Sequence, residues 1–337
     1  MTGALTWARL SFRQQRWELI LVALGVAGTA AAMLFFTSTL DGMRAASPEC
    51  LAGLNSFGGL ESEPQAACQA VLTAYYDAYN WGTNLVNLAW LAPFGMGVIL
   101  GGPLVAREID GGTAQLAWSL SRSRVGWLLR RIAFVTLFGR ALLAVLAVTS
   151  ELLTAAMFPE KTVSEDFIYF GRRDLPVVAR GTGAIMVGVL VGALIGRVLP
   201  AVLASGLVIG LVFTGVSFGQ DQWNRAEATL RPMFDAALFD PTGLDVSYGI
   251  QTNEGEFITH SEAFARGLSP NFSDEKGEIY ESEEDLEAGR SIGRDAVLSI
   301  PGDRYPELVL RDSIMALLVG LGALSVTAVV VTRRRPV

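Results

Sequence analysis

The chain has 337 residues, of which 51% are hydrophobic and 18% are charged, with a mean hydropathy of +0.40 and a formal net charge of −7. These values are typical of polytopic membrane proteins and exclude a soluble domain built around one apolar core.

Six apolar runs are long enough to cross a bilayer, because a spanning helix needs about 20 mostly apolar residues. We therefore predict an all-α membrane protein. Its spans cover residues 17–38, 85–106, 132–158, 176–198, 200–218 and 309–332. An even number of spans puts both termini on one side of the membrane.

Residues 1–16 precede the first span and mix Trp7, Leu10 and Phe12 with arginines. This composition favours an amphipathic helix along the inner membrane surface. A basic flank that only sets topology is the plainer alternative. A cleaved signal peptide ending near residues 30–32 is disfavoured, because these alanines lie inside an apolar run too long for a signal segment.

The first external loop, residues 41–82, holds both cysteines, Cys50 and Cys68. A cysteine pair outside the membrane favours a disulfide over two free thiols. The second half of the loop is predicted to be helical, because several apolar and aromatic residues share one helical face. They are Cys68, Val71, Leu72, Tyr75 and Tyr79.

A polar insert, residues 107–131, connects the second and third spans. Gly111 and Gly112 break the second span, and Thr113 is suited to cap a new helix. Residues 114–120 then have the length of a short surface helix, which carries Leu116 and Trp118. Such an element is well placed to receive force from a soluble partner, and an ordinary connecting loop is the alternative.

The distribution of charge predicts the orientation. With the N-terminus inside, the cytoplasmic segments hold 12 arginines, including those of the tail at residues 333–337. Residues 219–308 hold 19 acidic and 7 basic residues, a net charge of −12, and are predicted to form a small acidic external domain or a mobile loop. Arg172 and Arg173 lie outside and run against this trend. The acidic stretch 274–287 matches no EF-hand spacing, so we expect no calcium site.

Three charged residues, Arg140, Glu151 and Arg180, fall inside predicted spans. Each costs about 2.5 to 3.5 kcal/mol at the membrane centre unless it has a partner or a wet surface. Glu151 and Arg180 lie at a similar depth near the outer side and are suited to pair. Snorkelling and a polar patch on a transport path are the alternatives. Arg140 could reach Glu18 or face a water-filled cavity.

The fourth and fifth spans are joined by very few residues, so we predict a tight hairpin. Small residues recur every four positions and favour close helix packing, within the chain or between two chains. They are Ala184, Gly188, Gly192 and Gly196 in the fourth span, and Gly206, Gly210 and Thr214 in the fifth.

The chain lacks the residues for several kinds of chemistry. It has no phosphate-binding Gly-x-x-x-x-Gly-Lys motif, and its two lysines, Lys161 and Lys276, are both external. Its single histidine, His260, is also external, which removes histidine-based metal and catalytic motifs. We expect no ATPase site, catalytic residue, cofactor or metal in this chain.

The run from Gly101 to Glu108, with Gly112-Thr113 and residues 121–124, resembles the second-span exit of type-2 ABC exporter permeases. The six spans and the basic N-terminal segment are also similar to that family. The resemblance implies that Glu108, Gly112 and Thr113 belong to a coupling helix that contacts the ATPase, and that Arg122 and Arg124 form the turn after it. An external segment of about 90 residues departs from the family, whose outer loop is shorter.

The resemblance further implies a permease subunit of an exporter in a bacterial plasma membrane. Its partners would be two ABC ATPase chains that carry ATP and Mg²⁺, a second permease chain that is identical or a sister, and the lipid bilayer, with no nucleic acid. The substrate would be an amphipathic or hydrophobic molecule, such as a drug, antibiotic, peptide or lipid. The alternative is a non-transporting mechanotransmission or signalling protein that acts through its external domain.

Overall fold

The computed structural model describes residues 2–51, 68–114, 123–162, 166–232, 242–266 and 293–333. A π-helical segment, Gly97–Gly101, joins α3 to α4. The helices are α1 (Thr2–Ala46), α2 (Pro48–Leu51), α3 (Gln69–Met96), α4 (Gly102–Asp110), α5 (Arg124–Met157), α6 (Asp174–Ile195), α7 (Val198–Glu227), α8 (His260–Ala265) and α9 (Tyr305–Arg333). The strands are β1 (Thr229–Pro232), β2 (Leu244–Thr252), β3 (Phe257–Thr259) and β4 (Gly293–Ile300).

Six helical segments of the described chain are long and apolar enough to cross a membrane, which confirms the predicted number. We call them the first to sixth spans. They cover Gln15–Ala46, Gln69–Asp110, Arg124–Met157, Asp174–Ile195, Val198–Glu227 and Gly302–Arg333. The second span begins at Gln69 rather than at residue 85, because the helix predicted in the first loop continues into it without a break.

The first helix is divided at Gln15. This residue has φ −120° and ψ 17°, which are not helical values, so residues 2–14 form a helix separate from the first span. The break lies where the sequence changes from a mixed basic and aromatic segment to an apolar run. That residues 2–14 lie along a membrane surface stays a prediction.

The chain forms two compact units. The first contains residues 1–163, 169–216 and 307–337, and the second contains residues 164–168 and 217–306.

In the first unit the fourth span packs closely against its neighbours. Gly188 and Gly192 lie so near the second span that a Cβ atom on either would collide with the backbone carbonyl of Gly97 or Gly102. On the sixth span, Ala316 lies equally close to Gly183. Because lipid tails provide no apolar driving force between helices, such backbone contact is the main source of their association.

The small residues of the fourth and fifth spans have different surroundings. The short hairpin is confirmed, since α6 ends at Ile195 and α7 begins at Val198. Gly188 and Gly192 pack against the second span. Gly196 has φ +69° and ends the fourth span as its left-handed cap. Gly206 only reaches Val98 at 3.9 Å, and Gly210 has no described atom within 4 Å of a Cβ position, so packing of these two against a second chain stays a prediction.

The second unit contains a four-stranded antiparallel sheet in the order β1-β4-β2-β3. Ile250, Ile258 and Ala263 form its apolar core. β1 follows the fifth span after one residue, and β4 leads into the sixth span. The all-α prediction therefore holds for the spans but is wrong for this unit. The pairing of β1 with β4 joins segments more than 60 residues apart, which local sequence patterns do not reveal.

Substituting Gly188 by alanine should destabilise the protein. The new methyl group would meet the carbonyl of Gly97, and overpacking of this kind costs about 1 to 3 kcal/mol. Gly210→Ala is the matched control, because it adds a methyl group where the described chain leaves open space. Thermal unfolding in detergent should show a lower midpoint for Gly188→Ala alone. Equal midpoints for the two variants would contradict the close contact between the second and fourth spans.

Candidate polar sites at the insert end and within the membrane

The insert leaves and re-enters the first unit at one end of the helix bundle, which we call the insert end. Glu108 lies there in α4, with 6% of its surface exposed. Its carboxylate forms an ion pair with Arg131 of the third span at 2.6 Å. The Arg131 guanidinium is also buried and lies 5.3 Å from the centre of the Trp127 ring. A buried pair of this kind joins the second span to the third immediately beside the insert.

The first residues of the insert contact the Glu108–Arg131 pair. Gly111 and Gly112 end the second span as predicted, and Gly112 has φ +67°, which favours glycine. The Thr113 hydroxyl donates to the Glu108 carboxylate at 3.1 Å. Thr113 therefore fastens the start of the insert to Glu108. The helix that Thr113 was predicted to cap, with Leu116, Trp118 and Arg122, lies outside the described residues.

Glu108 differs from the role that the resemblance implies. It was placed in a coupling helix that contacts the ATPase, but it lies in the last turns of the second span and its carboxylate faces Arg131. A side chain in this position can hold the insert in place. It offers no exposed carboxylate to a partner.

Further contacts tie the insert end to the other spans. Arg107 pairs with Glu18 of the first span. The Asp110 carboxylate accepts from the backbone N–H of Val198, the first residue of the fifth span, at 3.3 Å.

The far side of the insert is tied to the sixth span. The Ser123 hydroxyl caps the third span by accepting from Gly126 N–H at 3.0 Å. The Arg124 guanidinium donates to the backbone carbonyls of Val331 and Thr332 at 3.4 and 3.3 Å. These carbonyls lie in the last described turn of the sixth span, where the helix dipole attracts a cation.

The charged residues within the spans pair differently from the prediction. Glu151 and Arg180 do not pair with each other. Glu151 accepts from Arg173 at 3.1 Å, and Arg180 forms an ion pair with Asp312 of the sixth span at 2.7 Å. Arg180 also donates to the Gly171 carbonyl at 3.0 Å.

Arg140 contacts a residue other than the partner suggested for it. Its Nε donates to the Thr182 hydroxyl of the fourth span at 2.9 Å. Glu18, its suggested partner, pairs with Arg107 instead.

Sequence reasoning missed three residues of these sites: Arg131, Arg173 and Asp312. Asp312 lies inside the predicted sixth span, so the rule that a charge within a span needs a partner could have found it. Arg131 and Arg173 lie next to span ends and were counted only as flanking charges. Arg173 is fully buried, so it serves as a paired charge inside the protein rather than as a flanking surface charge.

The opposite end of the first unit carries the predicted disulfide between Cys50 and Cys68, which is formed. It joins α2 to the start of α3. Close to it in the chain, Arg44 donates to Tyr75 of the second span and to the carbonyls of Ala156 and Met157 of the third. At this end the first three spans are thus held together by a covalent bond and an arginine.

These features define a multi-pass helical membrane protein with a polar insert braced against its spans. The chain belongs to the ABC-2 membrane transporter related family, whose model matches residues 19–219, more than half of its length. The match covers the second to fourth spans, the insert and most of the first and fifth spans, and family membership identifies the chain as a permease-type transport subunit. No curated protein matches the chain. No solved structure matches it either.

The corrected pairing makes a testable prediction. Arg180→Leu should lower the free energy of unfolding by about 3 to 5 kcal/mol, because it leaves Asp312 buried without its cation. Replacing both partners, in Arg180→Leu with Asp312→Leu, should recover most of the loss, since no buried charge remains. Unfolding in a detergent titration measures all variants.

The matched control for this test is Arg180→Leu with Glu151→Leu. It should recover nothing, because Glu151 pairs with Arg173. Recovery in this double variant, and none in the one at Asp312, would contradict the pairing described above.

Proposed function

We propose that this chain is the permease subunit of an ABC exporter, in which separate ATPase chains bind the insert from the cytoplasm. ATP hydrolysis by those chains would drive export of an amphipathic or hydrophobic substrate, such as a drug, antibiotic, peptide or lipid. Two ATPase chains and a second permease chain, identical or a sister, would complete the transporter. Family membership supports an ATPase partner in general.

The observation that carries the coupling role is the buried Glu108–Arg131 pair with Thr113 bound to it. The pair bridges the second and third spans where the insert leaves and returns. A force on the insert would therefore move both spans together instead of bending a loose connection. Leu116 and Trp118, beyond Thr113, would supply apolar surface for docking of the ATPase.

The contacts around the pair suggest how the movement spreads. Arg124 follows the insert and binds the last carbonyls of the sixth span, while Asp110 precedes it and binds the start of the fifth. Displacement of the insert would thus reach four spans at the cytoplasmic surface. Tilting of these spans is the proposed means by which a path opens between two permease chains.

Replacing Glu108 by glutamine should uncouple ATP hydrolysis from transport. The variant keeps the shape of the side chain but removes the charge that holds Arg131 and the insert. Mutations along a coupling route change it by about 0.5 to 2 kcal/mol, so transport per ATP should fall about two- to thirtyfold. The measurement compares ATP hydrolysis with substrate uptake into inverted vesicles, after the ATPase has been identified by co-purification with the tagged chain.

Two further variants control this experiment. Asp221→Asn removes an exposed carboxylate that pairs with Arg225 far from the insert in sequence, and it should leave transport per ATP unchanged. The exchange Glu108→Arg with Arg131→Glu should restore part of the coupling by rebuilding the pair. Full transport per ATP in Glu108→Gln, in a folded protein, would overturn the coupling role.

The second unit favours one alternative, a mechanotransmission protein that acts through its external domain. β1 and β4 pair with each other and are nearly continuous with the fifth and sixth spans. At their base, Glu227 and Arg304 form an ion pair at 2.8 Å. Movement of these two spans would move the sheet directly. Deleting residues 254–290 distinguishes the functions, because an exporter should keep some export while a transmitter should lose its activity.

A further inference from the structure

Arg140 stands near the middle of the third span. It is 9 residues after Arg131 and 11 residues before Glu151, the two charged residues that bound the apolar part of this helix. At a rise of 1.5 Å per residue, these separations are about 14 and 16 Å. Both are close to half of the apolar thickness of a bilayer, which is about 30 Å. Arg140 is therefore too deep for its side chain to reach either membrane surface.

The guanidinium of Arg140 is exposed and has no anionic partner within the described chain. Only its Nε is engaged, by the Thr182 hydroxyl. Arg131, Arg173 and Arg180 differ from it, because each of them holds a carboxylate. A mid-membrane arginine without a counter-ion is unfavourable, so we expect its charge to be balanced by a group outside the described residues.

A second polar group lies one turn away on the same helix. Thr136, four residues before Arg140, is 95% buried and its hydroxyl has no hydrogen-bond partner in the described residues. Residues four apart share a helix face, so Thr136 lies one turn from Arg140 on the side of the third span that faces the bundle. The surrounding surface is apolar: Leu137 is 70% exposed, and Ala144 is also exposed.

We propose that Arg140 and Thr136 form a binding site for an amphiphile that carries a carboxylate or phosphate. The anionic group would accept hydrogen bonds from the NH₂ groups of Arg140 and, after rotation of its side chain toward the guanidinium, from Thr136. The apolar chain would lie along the third span at Leu137 and Ala144. The anion and the arginine would neutralise each other in a medium that solvates neither. The site rests on the proposed function only where the amphiphile is identified as the exported substrate.

The test uses the purified full chain in nanodiscs of phosphatidylcholine. The probe is a dansyl-labelled undecanoic acid, whose fluorescence reports binding, and its methyl ester is the uncharged counterpart. Wild type should bind the acid saturably and more tightly than the ester. Arg140→Gln should weaken binding of the acid by about tenfold to a hundredfold, as expected for loss of a charge-assisted hydrogen-bonded pair, and should leave the ester unaffected.

Three variants separate the site from its surroundings. Arg140→Lys should recover much of the affinity, because it restores the charge. Thr136→Val should weaken binding of the acid several-fold, since it removes the hydroxyl. Arg13→Gln removes an exposed arginine outside the first span and should bind as wild type does.

The outcomes distinguish the possible occupants. Competition by dodecyl phosphate supports an anion site of the proposed kind, and displacement by added phosphatidylglycerol identifies a bilayer lipid as its occupant. Equal binding by wild type and Arg140→Gln, or of acid and ester, overturns the proposal. So does loss of a dimer in Arg140→Gln without change in probe binding, because the counter-ion would then belong to a second copy of the chain.

The measurement needs no ATPase, so its result is independent of the coupling test. Failure of probe binding would leave the role of Glu108 untouched. Conversely, if the chain binds the anion but has no ATPase partner, the binding site is supported and the export function is contradicted.

Discussion

A charge inside a bilayer has no water to solvate it, and this constraint determines how the spans are joined. Within the first unit, three ion pairs neutralise buried charges, and each pair connects different parts of the bundle. Glu108–Arg131 joins the second span to the third, Glu151–Arg173 joins the third to the start of the fourth, and Arg180–Asp312 joins the fourth to the sixth. Because an unpaired buried ion is far more costly than a buried pair is favourable, these contacts specify the arrangement of the helices more than they stabilise it.

Close backbone contact between helices provides packing that the ion pairs do not. Gly188 and Gly192 bring the fourth span against the second at the π-helical segment, where helix geometry is already widened. The Pro93 ring lies one turn before that segment. A π-helical turn is common at functional sites, and here it lies in the span that leads to the insert. The second span is therefore packed against the fourth span at its middle and joined to the third span by the Glu108–Arg131 ion pair at its end.

The sequence alone was sufficient for the number of spans, the disulfide, the break at Gly111-Gly112 and the short hairpin at Ile195–Val198. These features depend on local composition or on one chain constraint. The choice of partners in the ion pairs depends also on how each helix is rotated about its axis. Helical rise predicts how far along its span each charged residue lies, but not the direction in which each side chain points around its helix. The sequence therefore could not select Arg173 and Asp312 as the partners of Glu151 and Arg180. The sheet was missed because β1 and β4 are distant in sequence, although each is adjacent to a span.

Because Glu108 is buried, the role proposed for it in coupling differs from that of an exposed residue. An exposed carboxylate would act by binding the ATPase, and its loss would weaken the complex. In the proposed function, a buried carboxylate paired with Arg131 would act on the membrane side of the contact, so its loss would leave docking intact and remove the transfer of force. Arg124 belongs to the same side, because it holds the end of the sixth span by its carbonyls. The same span carries Asp312 and follows β4, so movement at the insert would be conveyed along one continuous helix to the polar contacts of the fourth span.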